Sequence, residues 1–219
     1  MSITLHHIAG SRSFRILWLL QEMGITPELK SYWITDGSLR QPEYLEHSPA
    51  GRVPALEIDG QTIYESGAIT EYLCETRPRH GLGRAPGDPE RVAFLEMVHY
   101  AETVAHILAN LNLQWLFLRS PDDRSPTVLK IEARRLMAVL APLEARLKGQ
   151  DHMLASGFSA ADTMNGFNMD AARRYVDFAN FPNLTAYAAR MAERPAYKAA
   201  QALEGEQQFY KQDFYEVSA

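Results

Sequence analysis

The stretch RPRHGLGRAPGDP, from Arg77 to Pro89, holds three prolines and three glycines in 13 residues and shows no apolar periodicity. Neither a helix nor a strand continues through such a segment, because each proline removes a backbone donor and each glycine adds conformational freedom. It therefore cuts the chain. Before it, short β-favouring runs alternate with a helical pattern; beyond it, the spacing is helical throughout. The chain reads as a domain over residues 1–77, a linker over 78–89 and an all-helical domain over 90–219.

In the first region Ile3 to Ile8 predicts a short strand, broken by Ala9-Gly10-Ser11. From Ser13 the apolar residues Ile16, Leu17, Leu19, Leu20 and Met23 fall at helical spacing, and Gly24 is placed to end that helix. Glu28 to Ile34, with Leu29, Tyr32 and Trp33, predicts a second strand and completes a βαβ unit. A short helix precedes Gly51. Asp59-Gly60 then joins Ala55–Ile58 to Thr62–Tyr64 as a hairpin. Ser66 is the expected N-cap of a helix carrying Ala68, Ile69, Tyr72 and Leu73 as far as about Thr76. The first domain is thus α/β, in the order βαβ-α-ββα.

In the second region Phe94, Val98, Ala101, Ala105 and Leu108 form one helical stripe, and Met97, Val104, Ile107 and Leu111 form another. A helix buried on two sides follows, with one side expected to meet a second subunit. Leu129, Leu136, Leu140, Leu143 and Leu147 mark a further helix that Pro142 should bend. Ser159 and Asp162 have the spacing of a capping box, so Asp162 is expected to hold backbone amides rather than to do chemistry. Pro182 and Pro195 punctuate two more short helices, and residues 205–219 read as a polar tail with aromatics.

Composition excludes several classes of function. With 46% hydrophobic residues among 219, the chain can bury a core, so wholesale disorder is ruled out. A net charge of −5 without a basic stripe argues against nucleic acid as a partner. No apolar run approaches the ~20 residues needed to span a bilayer. The opening MSITLHHIAG lacks the charged and apolar regions of a secretory signal, and the single cysteine, Cys74, excludes an intrachain disulfide and a cysteine zinc cluster. A cytoplasmic protein is expected, with Cys74 a small core residue. His6 and His7 point to opposite faces of a strand, and His99 with Glu102 lacks a third ligand, so no metal site is expected. Neither a dinucleotide nor a P-loop glycine motif occurs.

Gly51-Arg52-Val53-Pro54-Ala55-Leu56, followed by Glu65-Ser66-Gly67-Ala68-Ile69, resembles the glutathione-binding segments of the cytosolic glutathione S-transferase family, in its bacterial form with serine in the reactive loop. The resemblance implies a thioredoxin-like first domain and an all-α second domain that contributes an electrophile site. It implies that Val53 precedes a cis proline, Pro54, and pairs its backbone with the glutathione cysteinyl unit. Glu65 and Ser66 would then hold the γ-glutamyl end, with Ser66 and its helix N-terminus taking the carboxylate and Glu65 the ammonium group. Arg52, where the family often has Lys or Gln, would reach the glycyl carboxylate. Glutathione enters as a co-substrate, no cofactor is permanently bound, and a homodimer acting on a small apolar electrophile is the expected assembly.

Ser11, in the loop before the first helix, is the expected catalytic residue, with Ser13 as the alternative because it could instead cap that helix. A free thiol has a pKa of about 8.5, and lowering it by roughly 2 units takes about 2.7 kcal/mol of preferential thiolate stabilisation. One hydrogen bond to the charged form contributes about 1.5–3 kcal/mol, and a helix N-terminus about 0.3–1. A serine hydroxyl and the helix end are sufficient without a base. Serine in place of cysteine here disfavours mixed-disulfide chemistry. Tyr100, Thr103 and Ile107 on the long helix are candidates for the electrophile site. Three readings stay open: conjugation, peroxide or disulfide reduction on the same site, and a non-catalytic binding or scaffold protein with this fold.

Overall fold

Strand β1 (Thr4–His7) is buried along its whole length because it lies inside a four-stranded sheet of order β2-β1-β3-β4. The computed structural model describes residues 3–118 and 120–217. β2 (Glu28–Ser31) pairs parallel to β1, with Leu5 opposite Leu29. β3 (Ala55–Ile58) pairs antiparallel to β1, with Leu5 opposite Leu56, and β4 (Gln61–Tyr64) closes the hairpin. Asp59 and Gly60 both have positive φ, +53° and +79°, as a two-residue hairpin of this hand requires. β2 stops short of the expected Ile34 because the Ile34 N–H leaves the ladder for the Gln208 side chain at 2.9 Å.

Helix α1 (Ser13–Glu22) crosses between β1 and β2 and buries Phe14, Ile16, Leu17, Leu19 and Leu20. It ends where expected. Gly24 takes φ +69°, which costs a residue without Cβ nothing, and the Ile25 N–H folds back onto the Leu20 carbonyl at 2.8 Å. The short α2 (Pro42–Leu45) precedes β3, and α3 (Ser66–Thr76) follows β4, burying Ile69 and Leu73. The N-cap of α3 is Glu65 rather than Ser66, which is the first helical residue.

The chain divides into two compact units, Met1–Asp88 with Ala192–Phe209, and Pro89–Met191 with Tyr210–Ala219. The second unit contains α4 (Arg91–Asn112), extended by one π-helical turn at Leu113–Phe117, then α5 (Pro126–Arg146), α6 (Ala160–Ala172) and α7 (Pro182–Ala192). Both apolar stripes of α4 are buried in the chain: Phe94, Val98, Ala101 and Val104 are fully covered, and Ile107 is 2% exposed. Neither stripe is left over for a second subunit, contrary to the sequence expectation. The side-chain amides of Asn165 and Asn168 on α6 donate to the Met97 and Ala101 carbonyls of α4, each at 2.8 Å, and fix the pair in register. α5 continues through Pro142 as one helix.

Asp162 is the capping residue the spacing predicts. Its carboxylate accepts from the Ser159 N–H and the Met153 N–H, both at 2.8 Å, and from the Tyr187 hydroxyl at 3.1 Å. It is fully buried, and burial raises its pKa.

The final helix, α8 (Pro195–Glu204), belongs to the first unit although it follows the helical region in sequence. Its Tyr197 meets Trp18 and Phe14 of α1 edge-on, with ring centroids 4.9 and 5.2 Å apart. Arg194, just ahead of α8, forms a bidentate pair with Glu22 at 2.6 and 2.8 Å. A single cut near residue 78 therefore misplaces residues 192–209, because the aromatic partner of α1 lies far along the chain. Nor are the last described residues a loose polar tail: Phe209 and Tyr215 are buried, the latter stacked on Tyr175 at 5.1 Å.

Candidate glutathione site

The cleft of the first unit is built from three turns. Its described lining is Arg12, Ser48, Arg52, Val53, Pro54, Glu65 and Ser66. The Val53-Pro54 bond is cis. The segment leading to it is held from below: the Tyr44 hydroxyl donates to the Arg52 carbonyl at 2.6 Å, and the Arg52 N–H reaches Ser48 Oγ at 3.4 Å. The Arg52 side chain is exposed and free to reach a ligand.

Glu65 has φ +72° and ψ +117°, a conformation unusual for a residue with a side chain and one that costs about 1–3 kcal/mol. The strain turns the chain so that Ser66 opens α3 with its hydroxyl buried while the Glu65 carboxylate stays exposed. Behind Ser66 lies the fully buried Arg15, whose Nη1 donates to Ser66 Oγ at 3.2 Å. Arg15 escaped the sequence reading, although a charged residue between Phe14 and Ile16 on an otherwise buried helix was a signal that could have found it.

The charge pattern is specific. Two guanidinium groups and one carboxylate line the cleft, with a third guanidinium behind Ser66. A peptide with two carboxylates and one ammonium group complements such a surface.

Ser11 is not among the residues lining that cleft; its neighbour Arg12 is. The Ser11 N–H bonds to the Ile8 carbonyl at 3.1 Å, and its own carbonyl accepts from Phe14 N–H at 3.0 Å, so the loop is a tight turn into α1. Gly10 has φ +77°, and a Cβ there would come within 2.1 Å of Gln207 Oε1. The Gly10 N–H donates to Glu204 Oε1 at 2.7 Å, so the end of α8 fastens the loop ahead of α1. Sequence reasoning missed both Glu204 and Gln207, since nothing local marks a residue nearly 200 positions away.

Ser13 is not the N-cap of α1. It is fully buried as the first helical residue, and its Oγ lies 2.8 Å from His7 Nδ1 and 2.8 Å from Ser11 Oγ. His7 Nε2 in turn lies 3.2 Å from the Glu204 carbonyl oxygen. Burial lowers the His7 pKa to about 4, so the ring is neutral near pH 7.

His6 faces the opposite side of β1, as strand alternation requires. Its Nε2 is 2.8 Å from Glu57 Oε1, and its Nδ1 is 2.8 Å from the Tyr32 hydroxyl. With His47 these make the one group of three metal-capable side chains among the described residues, their ligand atoms within 4.8 Å of one another. Lys30 Nζ already sits 3.4 Å from the same Glu57 oxygen, which gives that carboxylate a cation of its own. In the second unit, Tyr100 donates its hydroxyl to the Val139 carbonyl at 2.9 Å, and Thr103 is exposed. Ile107, at 2% exposure, is a core residue with almost no surface to offer a substrate, which corrects its sequence assignment. Cys74 is buried, as expected.

The architecture is that of a two-domain protein in which a thioredoxin-like unit, with two guanidinium groups and one carboxylate lining a cleft beside a cis proline, is followed by a helical unit. Residues 1–75 match the family model described as Glutathione S-transferase, N-terminal domain, and residues 108–195 match Glutathione S-transferase, C-terminal domain. Glutathione S-transferase 3 of Schizosaccharomyces pombe is 30% identical over 213 residues, covering 90% of this chain and 86% of its own. Maleylacetoacetate isomerase of Rhizobium meliloti is 34% identical over 170 residues, covering 74% and 77%. A solved sphingomonad glutathione S-transferase complexed with glutathione aligns with a TM-score of 0.78 at 28% identity, over 92% of this chain and 98% of that one. The chain belongs to the glutathione S-transferase family.

Proposed function

We propose that this chain binds glutathione in the cleft of the first unit and joins the intact tripeptide, through its sulfur, to an electrophilic carbon of a small apolar molecule. The observation that carries the reading is the charge complement: Arg12 and Arg52 for two carboxylates, Glu65 for the ammonium group, all lining one cleft with Val53, Pro54 and Ser66. Val53 supplies strand-like backbone pairing to the cysteinyl unit, and Ser66 at the head of α3 receives the γ-glutamyl carboxylate. The thiol then falls toward the loop at the start of α1.

There Ser11 donates a hydrogen bond to the thiolate, with the α1 N-terminus in support. The thiol proton goes to solvent. The thiolate attacks the electrophilic carbon, a C–S bond forms, and the leaving group departs with its electron pair. No resident cofactor or metal takes part. The protein acts in the cytoplasm as a homodimer. The 34% identical relative that is named an isomerase favours one variation, in which the thiolate adds to a conjugated double bond and later leaves it unchanged in composition.

Turnover of an aromatic halide with glutathione, compared between wild type, Ser11→Ala and Ser13→Ala, tests the reading. Loss of one charge-assisted hydrogen bond slows Ser11→Ala by about 10- to 100-fold. Full rate in Ser11→Ala refutes the assignment. Calorimetry with glutathione and its S-methyl ether separates an enzyme from a scaffold, because a scaffold binds neither specifically.

A further inference from the structure

The hydrogen-bond chain that ends at Ser11 begins at a buried histidine that the proposed reaction does not use. His7 Nε2 faces the Glu204 carbonyl oxygen at 3.2 Å, an atom that only accepts, so Nε2 carries the ring hydrogen. The ring is neutral near pH 7 and carries no second hydrogen. Nδ1 therefore presents a lone pair, and Ser13 Oγ at 2.8 Å donates to it rather than to the more distant Ile8 carbonyl at 3.3 Å. That uses the one hydrogen Ser13 has. The Ser11 and Ser13 oxygens are 2.8 Å apart, and only Ser11 is left to donate across that contact. The Ser13 N–H, 3.3 Å from Ser11 Oγ, adds a donor to the same oxygen. Meanwhile the Glu204 carboxylate is taken by the Gly10 N–H at 2.7 Å and the Gln207 side-chain amide at 3.2 Å.

We infer that His7 is a positioning residue which, acting through Ser13, holds the Ser11 hydroxyl as an acceptor in the ligand-free protein, so that stabilising a thiolate requires Ser11 to break its bond to Ser13. Resting Ser11 is thus set to receive the S–H hydrogen of the incoming thiol. When the S–H proton leaves to water, the Ser11 hydrogen turns about the Cβ–Oγ bond to face the sulfur. The charged acceptor outcompetes the neutral Ser13 oxygen, because hydrogen bonds to ions are about twice as strong. The His7–Ser13 pair therefore acts as a brake on thiol ionisation, and the inference rests on the role of Ser11 proposed above.

Nitrogen NMR of the His7 ring in the ligand-free wild type reads the chain's direction without a mutation. The inference expects the hydrogen on Nε2 and a hydrogen-bonded lone pair on Nδ1. A hydrogen on Nδ1 turns the whole chain around and overturns it. The ultraviolet absorbance of enzyme-bound glutathione, titrated against pH, supplies the functional readout. Ser13→Ala releases the Ser11 hydrogen and lowers the bound thiol's pKa by about half a unit to one unit, roughly three- to tenfold more thiolate below that pKa. A merely structural Ser13 does not favour ionisation when removed. An unchanged or raised pKa in Ser13→Ala, with a raised pKa in Ser11→Ala, overturns the brake and leaves Ser11 in its role. An unchanged pKa in Ser11→Ala overturns that role itself. Should Ser13→Ala fail to fold, the wild-type tautomer decides.

Discussion

Replacing Asp162 by alanine removes the acceptor for four buried donors at once. The Met153 N–H and the Ser159 N–H each lose a 2.8 Å hydrogen bond, the Ser159 hydroxyl loses one of 3.3 Å, and the Tyr187 hydroxyl loses one of 3.1 Å but keeps the Asp162 backbone carbonyl at 3.3 Å. Each orphaned donor costs about 1–3 kcal/mol, and the vacated volume is too enclosed for solvent to compensate freely. Against this stands the relief of a buried carboxylate whose raised pKa shows that its desolvation is only partly offset. The balance is a loss of about 4 kcal/mol, in the range for breaking a buried polar network. Asp162→Asn keeps one acceptor oxygen but turns donors toward donors, so it loses roughly 2–3 kcal/mol. Equilibrium unfolding in urea, followed by far-ultraviolet circular dichroism, measures both. A loss below about 1 kcal/mol in Asp162→Ala would refute the claim that this carboxylate organises the start of α6.

Two further outcomes follow from the first unit. The folded pKa of His7, about 4, lies below its unfolded value of 6.5, so the unfolded chain takes up a proton first. Its stabilising contribution is complete above pH 6.5 and is lost as pH falls toward 4, roughly 3 kcal/mol over that window. His6, also lowered, acts in the same sense, and Asp162, raised, in the opposite one. His7→Gln flattens this slope in urea titrations between those pH values, and an unaltered slope contradicts the burial of a neutral ring. Glu65→Gly relaxes the φ of +72° and gains about 1 kcal/mol of stability. The same change weakens glutathione binding by about tenfold or more in calorimetry; undiminished affinity would remove Glu65 from the site.

Much of this was legible in residues that act locally. The hairpin at Asp59-Gly60, the stop at Gly24 and the Ser159–Asp162 cap are each set by a few neighbouring residues, and each formed where its chemistry places it. The cleft residues Arg52 to Pro54 and Glu65-Ser66 came from a family likeness, and the structure brings them around one cavity. What stayed hidden depends on long-range contact. No periodicity reveals that α8 returns to α1, because the reason is Tyr197 against Trp18. Ser13 looked like a cap because serine at a helix start usually is one, but His7 across the turn offered its hydroxyl a better partner. Ile107 looked available for a substrate because its stripe was read without tertiary packing, which leaves it only 2% exposed.

The central claim is that the first unit binds glutathione and holds its sulfur as a thiolate through Ser11. The pKa of the bound thiol, read by ultraviolet titration of the wild type beside Ser11→Ala, tests it most directly. The account predicts a value about 2 units below the ~8.5 of a free thiol in the wild type, rising by one unit or more in Ser11→Ala. A bound thiol that titrates like free glutathione, or one whose low pKa survives the loss of Ser11, would contradict it.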